Sequence, residues 1–297
     1  MNNEFESFRD IELSDKQTLQ SYFLKQNSDL SIYNFANLFM WGRLHKYKWS
    51  LFKKRLVIYN EPDDVAVMPL GEPLAAQEFL ELAQGLLQKG RKADFCFVPK
   101  NFIEKNPSLE KYFLIEPDEK NADYIYSTQK LFELRGKKLR KKKNLLKQFQ
   151  KNNPEYICQK LEPNHYYDCI DLNEKWCQDK SCDIVAFAYE TDALRMGCKH
   201  YKELGLDGRI ILIDNKVAAF AVFNRQNTNM ALVHFEKYDR ELKGAGQAIN
   251  WETAKYLMND YELVNREQDL GIPGLRQAKE SYQPDYKALT YRLSWKD

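Results

Sequence analysis

Glycine and proline are scarce, twelve and ten in 297 residues, which excludes a collagen-like chain and a low-complexity disordered one. No stretch comes near the roughly 20 consecutive apolar residues that a membrane span needs. The opening MNNEFESFRDIEL has neither the basic flank nor the apolar run of a signal peptide, so a cytoplasmic protein is expected. Six cysteines, at 96, 158, 169, 177, 182 and 198, include no CxxC pair. Without an export signal they read as buried, reduced thiols rather than a disulfide framework. Cys177 and Cys182 form no recognised zinc spacing with His165 or His200, so no metal site is expected. What is abundant is core material: 43% hydrophobic residues, with 18 Tyr and 17 Phe. A chain of this length is expected to divide it between two domains.

The periodicity predicts mixed α/β structure in both halves, with the first domain spanning 1–120 and the second 121–297. In the first, HKYKWSLFKK, RLVIYN and VAVMPL read as a strand meander, and AAQEFLELAQGLLQKG as a helix stopped by Gly90 ahead of the strand DFCFVP. In the second, a helix is predicted over 128–152, ending at NNP. GRIILIDNKVAAFAVFN reads as a hairpin turning at Asp214-Asn215, followed by the strand NMALVHFEKYD, a glycine-containing loop, a helix, the strand YELVNRE, a helix from about Pro273 to Tyr282 and a last strand near ALTYRLSW.

The segment HFEKYDRELKGAGQAINWETAKYL places a Gly-x-Gly turn between a strand and a helix. Main-chain N–H groups at such a helix start suit phosphate oxygens. Gly244 and Gly246 would permit close approach, with Ala245 and Gln247 beside them and Arg240 and Lys243 adding positive charge; an ordinary tight turn is the structural alternative. Hairpin, strand, loop and helix in this order resemble the GNAT superfamily of acyltransferases. The resemblance implies coenzyme A or acyl-CoA as the phosphate-containing donor. Glu241 stands where that superfamily's motif carries Arg or Gln. The stretch from Asn265 to Gly271, with Gly274-Leu275-Arg276 and Lys279 through Pro284, resembles more specifically the bacterial proteins related to the C-terminal domain of phosphatidylglycerol lysyltransferase, built as tandem GNAT-like domains. In that enzyme the donor is an aminoacyl-tRNA and the acceptor a membrane lipid, so the resemblance implies acyl or aminoacyl transfer, with tRNA as the alternative donor and the acceptor open.

Net charge is only +2, yet residues 130–151 hold ten Lys or Arg and one Glu. This run carries +9 and leaves −7 to the rest of the chain. On one continuous helix, Leu131, Leu134, Leu139, Leu145, Leu146 and Phe149 share a face, with Lys137, Arg140, Lys143, Lys147 and Lys151 opposite. Arg135, Lys138 and Lys142 then project from the apolar face. There they either snorkel to water or meet acidic groups or donor phosphates, with the helix expected at the domain junction.

Glu236, on the strand before the glycine turn, is a candidate base for an incoming ammonium. Glu267 and Asp269 are further candidate carboxylates, for which ion pairs with Arg266, Arg276 or Lys279 are the structural alternative. Tyr282 falls where GNAT enzymes often carry a tyrosine that protonates the leaving group, and a core tyrosine is its alternative. Asn265, Arg266, Asp269, Arg276 and Lys279, with Arg135, Lys138 and Lys142, complete the expected substrate contacts, and His234 reads as a packed histidine. No nucleophile with a recognisable base partner occurs, so direct transfer is expected over a covalent intermediate. The competing reading is a ligand-binding module of the same fold without catalysis.

Overall fold

The computed structural model describes residues 5–175 and 184–296. The chain folds as two compact units, one of Met1–Ser28, Tyr33–Ala122 and Ala288–Asp297, the other of Asp29–Ile32 and Asp123–Lys287. Cys177 and Cys182 lie outside the described residues. Cys96 and Cys169 are buried thiols.

In the first unit, Tyr47–Phe52, Arg55–Asn60 and Val65–Val67 form the meander. The helix Ala76–Gln88 then crosses over to bring Phe95–Val98 parallel to Val65–Val67, as a parallel connection requires. Phe79 from this helix packs on Phe95 with ring centroids 4.3 Å apart, and Phe113 closes the aromatic core. The last strand, Tyr291–Trp295, lies between Phe95–Val98 and Phe113–Pro117, antiparallel to both. The second domain, expected to reach residue 297, therefore stops at Lys287. Two edges that would otherwise carry unpaired N–H and C=O groups are joined by this strand, and its Leu293 is fully buried.

The second unit is built on strands ordered Tyr286–Ala288, Asp123–Ser127, Leu263–Asn265, Met230–Tyr238, Lys216–Arg225, Asp207–Ile213 and Ile157–Lys160. Asp214 and Asn215 both take positive φ, +49° and +60°, and Ile213 pairs with Lys216. This is the tight turn whose twist matches a hairpin. The helix Ala245–Leu257 buries Ala245, Ala248, Ile249 and Ala254 against the sheet.

The helix expected over 128–152 is two helices, Thr128–Glu133 and Arg140–Asn152. The first ends at Leu134 in the left-handed region, and Gly136 at φ +95° turns the chain. Breaking the helix destroys the phase of the charge pattern. Arg135 pairs with Glu133 at 3.3 Å and keeps 79% of its side chain exposed, and Lys138 is exposed. Of the three cations expected on the apolar face, only Lys142 turns inward.

Candidate active site

Two parallel strands define the site by parting. Met230–Tyr238 pairs with Leu263–Asn265 only from Met230 to Leu232. Beyond that the first strand runs on for six residues while its neighbour leaves the sheet as a loop. The register also slips at His234, opposite Val222 and Phe223, a bulge of the kind that re-aims a side chain. Polar groups fill the opening.

Glu236 is held from two sides. Its Oε1 accepts from Arg266 Nη2 at 2.7 Å and its Oε2 from Asn250 Nδ2 at 3.1 Å. Arg266 lies between two aromatic faces, its guanidinium 4.9 Å from the Tyr282 ring centre and 5.6 Å from that of Tyr126. Burial disfavours the guanidinium charge, yet the facing Glu236 carboxylate holds its pKa above the ordinary value. Arg266 Nη1 is buried with no hydrogen-bond partner, so one arm of the guanidinium keeps unspent donors. Lys142 also lies over the Tyr282 ring, 4.3 Å from its centre. Desolvation and then Arg266 pull its pKa down.

Burial pushes the Tyr282 hydroxyl well above its ordinary range, although Arg266 opposes this, and Gln247 hydrogen-bonds it. Lys279 donates to the carbonyl of Arg266, while Tyr126 donates to the carbonyl of Lys279 at 2.8 Å. Desolvation lowers the Lys279 ammonium to about 8 despite nearby Glu267. His234 Nδ1 sits 3.3 Å from Glu267 Oε1 and its Nε2 3.1 Å from Asn224 Oδ1. Glu267 itself stands at φ +57°, fixed by its N–H donating to Asn265 Oδ1 at 2.6 Å.

The fold thus gathers Glu236, Arg266, Tyr282, Lys142, Lys279, Gln247 and Glu267 into one cluster. Other expected residues serve the scaffold. Asp269, 1% exposed, accepts from Arg276 Nε at 2.8 Å and from the Tyr124 hydroxyl at 2.6 Å. Burial would raise its carboxyl, but these bonds hold it at about 2. Asp269 and Arg276 are thus paired with each other, the alternative the sequence offered for them, and the Arg276 side chain stays 42% exposed. Asn265, fully buried, donates to the carbonyl of Asp29 at 2.7 Å and anchors the segment Asp29–Ile32.

The glycine turn is packed closely by the protein itself. A Cβ at Gly244, whose φ is +90°, would lie 2.3 Å from the Leu145 carbonyl oxygen and 2.9 Å from Phe149 Cβ. One at Gly246 would lie 2.6 Å from the Tyr238 ring. The close approach that these glycines allow is made by the protein's own helix Arg140–Asn152 and by Tyr238, and the Ala245 N–H is spent on the Leu242 carbonyl. Gly244, Ala245 and Gly246 are all buried. The two supporting cations also separate: Arg240 lines a cavity of about 580 Å³ with Asp168, Asp171 and Lys175, whereas Lys243 lines a groove beside the basic helix.

Sequence reasoning missed Asn250 and Tyr126. Asn250 lies fourteen residues after Glu236, in the second turn of a pattern that reads as an ordinary helix. Tyr126 alternates with Tyr124 in a strand whose two faces the sequence does not distinguish. The partner of Glu236, thirty residues away, was likewise open.

Two α/β units on mixed sheets, the second with parted central strands, define a GNAT-like fold. Over 97% of both chains the structure matches FemX at a TM-score of 0.57 and 7% identity. A GNAT-family acetyltransferase from Colwellia psychrerythraea matches over 98% of this chain and 100% of its own, at a TM-score of 0.54 and 11% identity. The chain belongs to the family described as phosphatidylglycerol lysyltransferase, C-terminal, which matches residues 25–293. Among solved structures, a conserved protein of unknown function from Bacteroides thetaiotaomicron is 31% identical, covering 97% of this chain and 99% of its own with a TM-score of 0.87. L-PGS from Bacillus licheniformis is 13% identical over 97% of this chain and 94% of its own, with a TM-score of 0.64. An uncharacterized protein of Mycoplasmoides gallisepticum is 24% identical over 245 residues, 78% of this chain and 76% of that one.

Proposed function

We propose that this chain is an aminoacyltransferase whose donor is an aminoacyl-tRNA ester and whose acceptor is an amine or hydroxyl. The observation that carries the reading is the buried guanidinium of Arg266, with Nη1 unspent, beside Glu236 and Tyr282 where the two strands part. Preorganised donors of this kind are strongest in a desolvated site, where they stabilise charge that develops on a carbonyl oxygen. Membership of a lysyltransferase family supports an aminoacyl group as cargo, and the donor follows from the resemblance to that enzyme.

In the proposed step the acceptor's nitrogen or oxygen attacks the ester carbonyl and its proton passes to Glu236. Arg266 Nη1 donates to the oxygen that becomes negative. As the bond from the carbonyl carbon to the ribose oxygen breaks, the Tyr282 hydroxyl protonates that oxygen. The high pKa of Tyr282 keeps it protonated until then. Acyl-CoA, the first expectation from the sequence, has less support, because the glycine turn that was to grip its pyrophosphate is buried under the basic helix.

The test compares loss of the ester from tRNA charged with radiolabelled lysine against thiol release from acetyl-CoA, each with a panel of amine acceptors and phosphatidylglycerol vesicles. Arg266→Lys keeps a charge near Glu236 but loses the second arm, and is expected to lower kcat/KM by roughly 10²–10³. Thiol release without ester loss would reinstate acyl-CoA. Binding of charged tRNA without turnover would leave a non-catalytic module.

A further inference from the structure

The charges of the candidate site do not balance. Three cationic side chains, Arg266, Lys142 and Lys279, meet two carboxylates, Glu236 and Glu267. Both oxygens of Glu236 already accept, from Arg266 and from Asn250, and Glu267 faces His234 at 3.3 Å. Lys279 donates to the carbonyl of Arg266. What is left over is donors: Nη1 of Arg266, which is buried without a hydrogen-bond partner, and the ammonium of Lys142. Among the described residues Lys142 forms no ion pair and no hydrogen bond.

Lys142 is half-buried. Its ammonium stands 4.3 Å from the centre of the Tyr282 ring, and the Arg266 guanidinium stands 4.9 Å from the same centre. Desolvation and then Arg266 disfavour its charge, a cost that an arriving anion offsets.

The reaction proposed above limits where that anion can sit. Arg266 Nη1 takes the ester carbonyl oxygen and the Tyr282 hydroxyl takes the ribose oxygen, so an ammonium over the Tyr282 ring is within reach of the side chain of the aminoacyl group. The acceptor approaches Glu236, whose own charge disfavours a second anion on that side. A lysyl side chain would bring another ammonium to Arg266 and Lys142 while both carboxylates are already engaged, and an uncharged one would leave Lys142 unpaired. An aspartyl or glutamyl side chain gives Lys142 a charge-assisted hydrogen bond.

We infer that Lys142 is a specificity-determining residue of the candidate site and selects an acidic aminoacyl group, aspartyl or glutamyl, over lysyl. The inference rests on the donor reading above and adds which cargo the site accepts.

The test charges tRNA with aspartate, glutamate, alanine or lysine and measures loss of each ester with the same panel of acceptors. The acidic esters are expected to show kcat/KM at least ~10-fold above the lysyl ester. In Lys142→Gln that ratio is expected to fall to about 1, and in Lys142→Glu to invert. Each ratio is taken within one variant, so a general loss of active protein cancels. A second measurement needs no turnover: parent and Lys142→Gln are titrated calorimetrically with stable amide analogues of aspartyl-adenosine and lysyl-adenosine. These ligands carry no phosphate, so the exposed lysines of the helix do not enter the comparison. The parent is expected to bind the aspartyl analogue more tightly, and the variant to bind the two alike. Lysyl or alanyl ester consumed by the parent with the same kcat/KM as the acidic esters would overturn the inference and leave the aminoacyl-tRNA reading standing. So would an acidic preference that Lys142→Gln retains, or a parent that binds the two analogues equally. Loss of no ester from any charged tRNA would remove the donor reading and this inference together.

Discussion

Two buried carboxylates of the second unit are shifted in opposite directions by their neighbours. Asp123 is fully buried and accepts from the Ser31 N–H at 2.7 Å and the Ser31 hydroxyl at 3.0 Å, but desolvation outweighs these bonds and raises it to about 7. The folded chain therefore binds a proton at Asp123 that the unfolded chain releases near pH 4. This contribution to stability is complete below pH 4 and is lost as pH rises through 7. Asp269, held at about 2 by Arg276 and Tyr124, contributes above pH 4 and loses that contribution as pH falls toward 2. Asp123→Asn keeps the shape and an acceptor while removing the titration. Relative to the parent, it is expected to gain roughly 1–3 kcal/mol between pH 4 and pH 8. Urea denaturation at several pH values measures this, and a constant gap between the two proteins would refute the assignment. Asp269→Ala leaves the Tyr124 hydroxyl and the Gly271 N–H without their acceptor, while the partly exposed Arg276 can turn to water, and is expected to cost about 1–3 kcal/mol at pH 7 by the same measurement.

The glycine turn and the basic helix form one packed element pair. Gly244→Ala places a Cβ against the backbone carbonyl of Leu145 in a left-handed conformation, and neither can move without displacing the helix. The expected cost is about 2–5 kcal/mol. Gly246→Ala meets only the Tyr238 ring, which can tilt, so a smaller cost of about 1–3 kcal/mol is expected. Denaturation midpoints of the two variants check the order, and equal costs would mean that the basic helix is not seated on the turn. The sequence made the turn visible and left open what approaches it, because Gly-x-Gly reports that something comes close without saying what. The break at Leu134 and Gly136 was hidden for a related reason. A helical wheel assumes continuous phase, and a lone glycine in a lysine-rich run is tolerated in many helices.

Across the whole molecule, chain order and spatial order differ in two places. The segment Asp29–Ile32 belongs with the second unit, where Asn265, Gln226 and Tyr286 all donate to it. The last strand returns to the first. Truncation after Leu289 removes that strand and leaves Tyr286–Ala288 in place. Amides of Phe95–Val98 and Phe113–Pro117 are then expected to lose protection from hydrogen exchange, while those of Lys216–Arg225 and Met230–Tyr238 keep theirs. Unchanged protection at residues 95–98 would show that the first sheet does not need its inserted strand.

What the amino-acid sequence determined by itself is local: the alternating and helical periods, the Asp214-Asn215 turn, the helix between VAVMPL and DFCFVP, and the motif run from Asn265 onward that carries the family. These follow from backbone sterics and apolar spacing within a few residues. The tertiary structure alone decided that Arg266 would pair with Glu236, that Arg276 would pair with Asp269, and that the helix Arg140–Asn152 would close on Gly244. Each depends on groups far apart in the chain meeting where water is excluded, and there the cost of an unpaired charge, rather than any local preference, selects the partner.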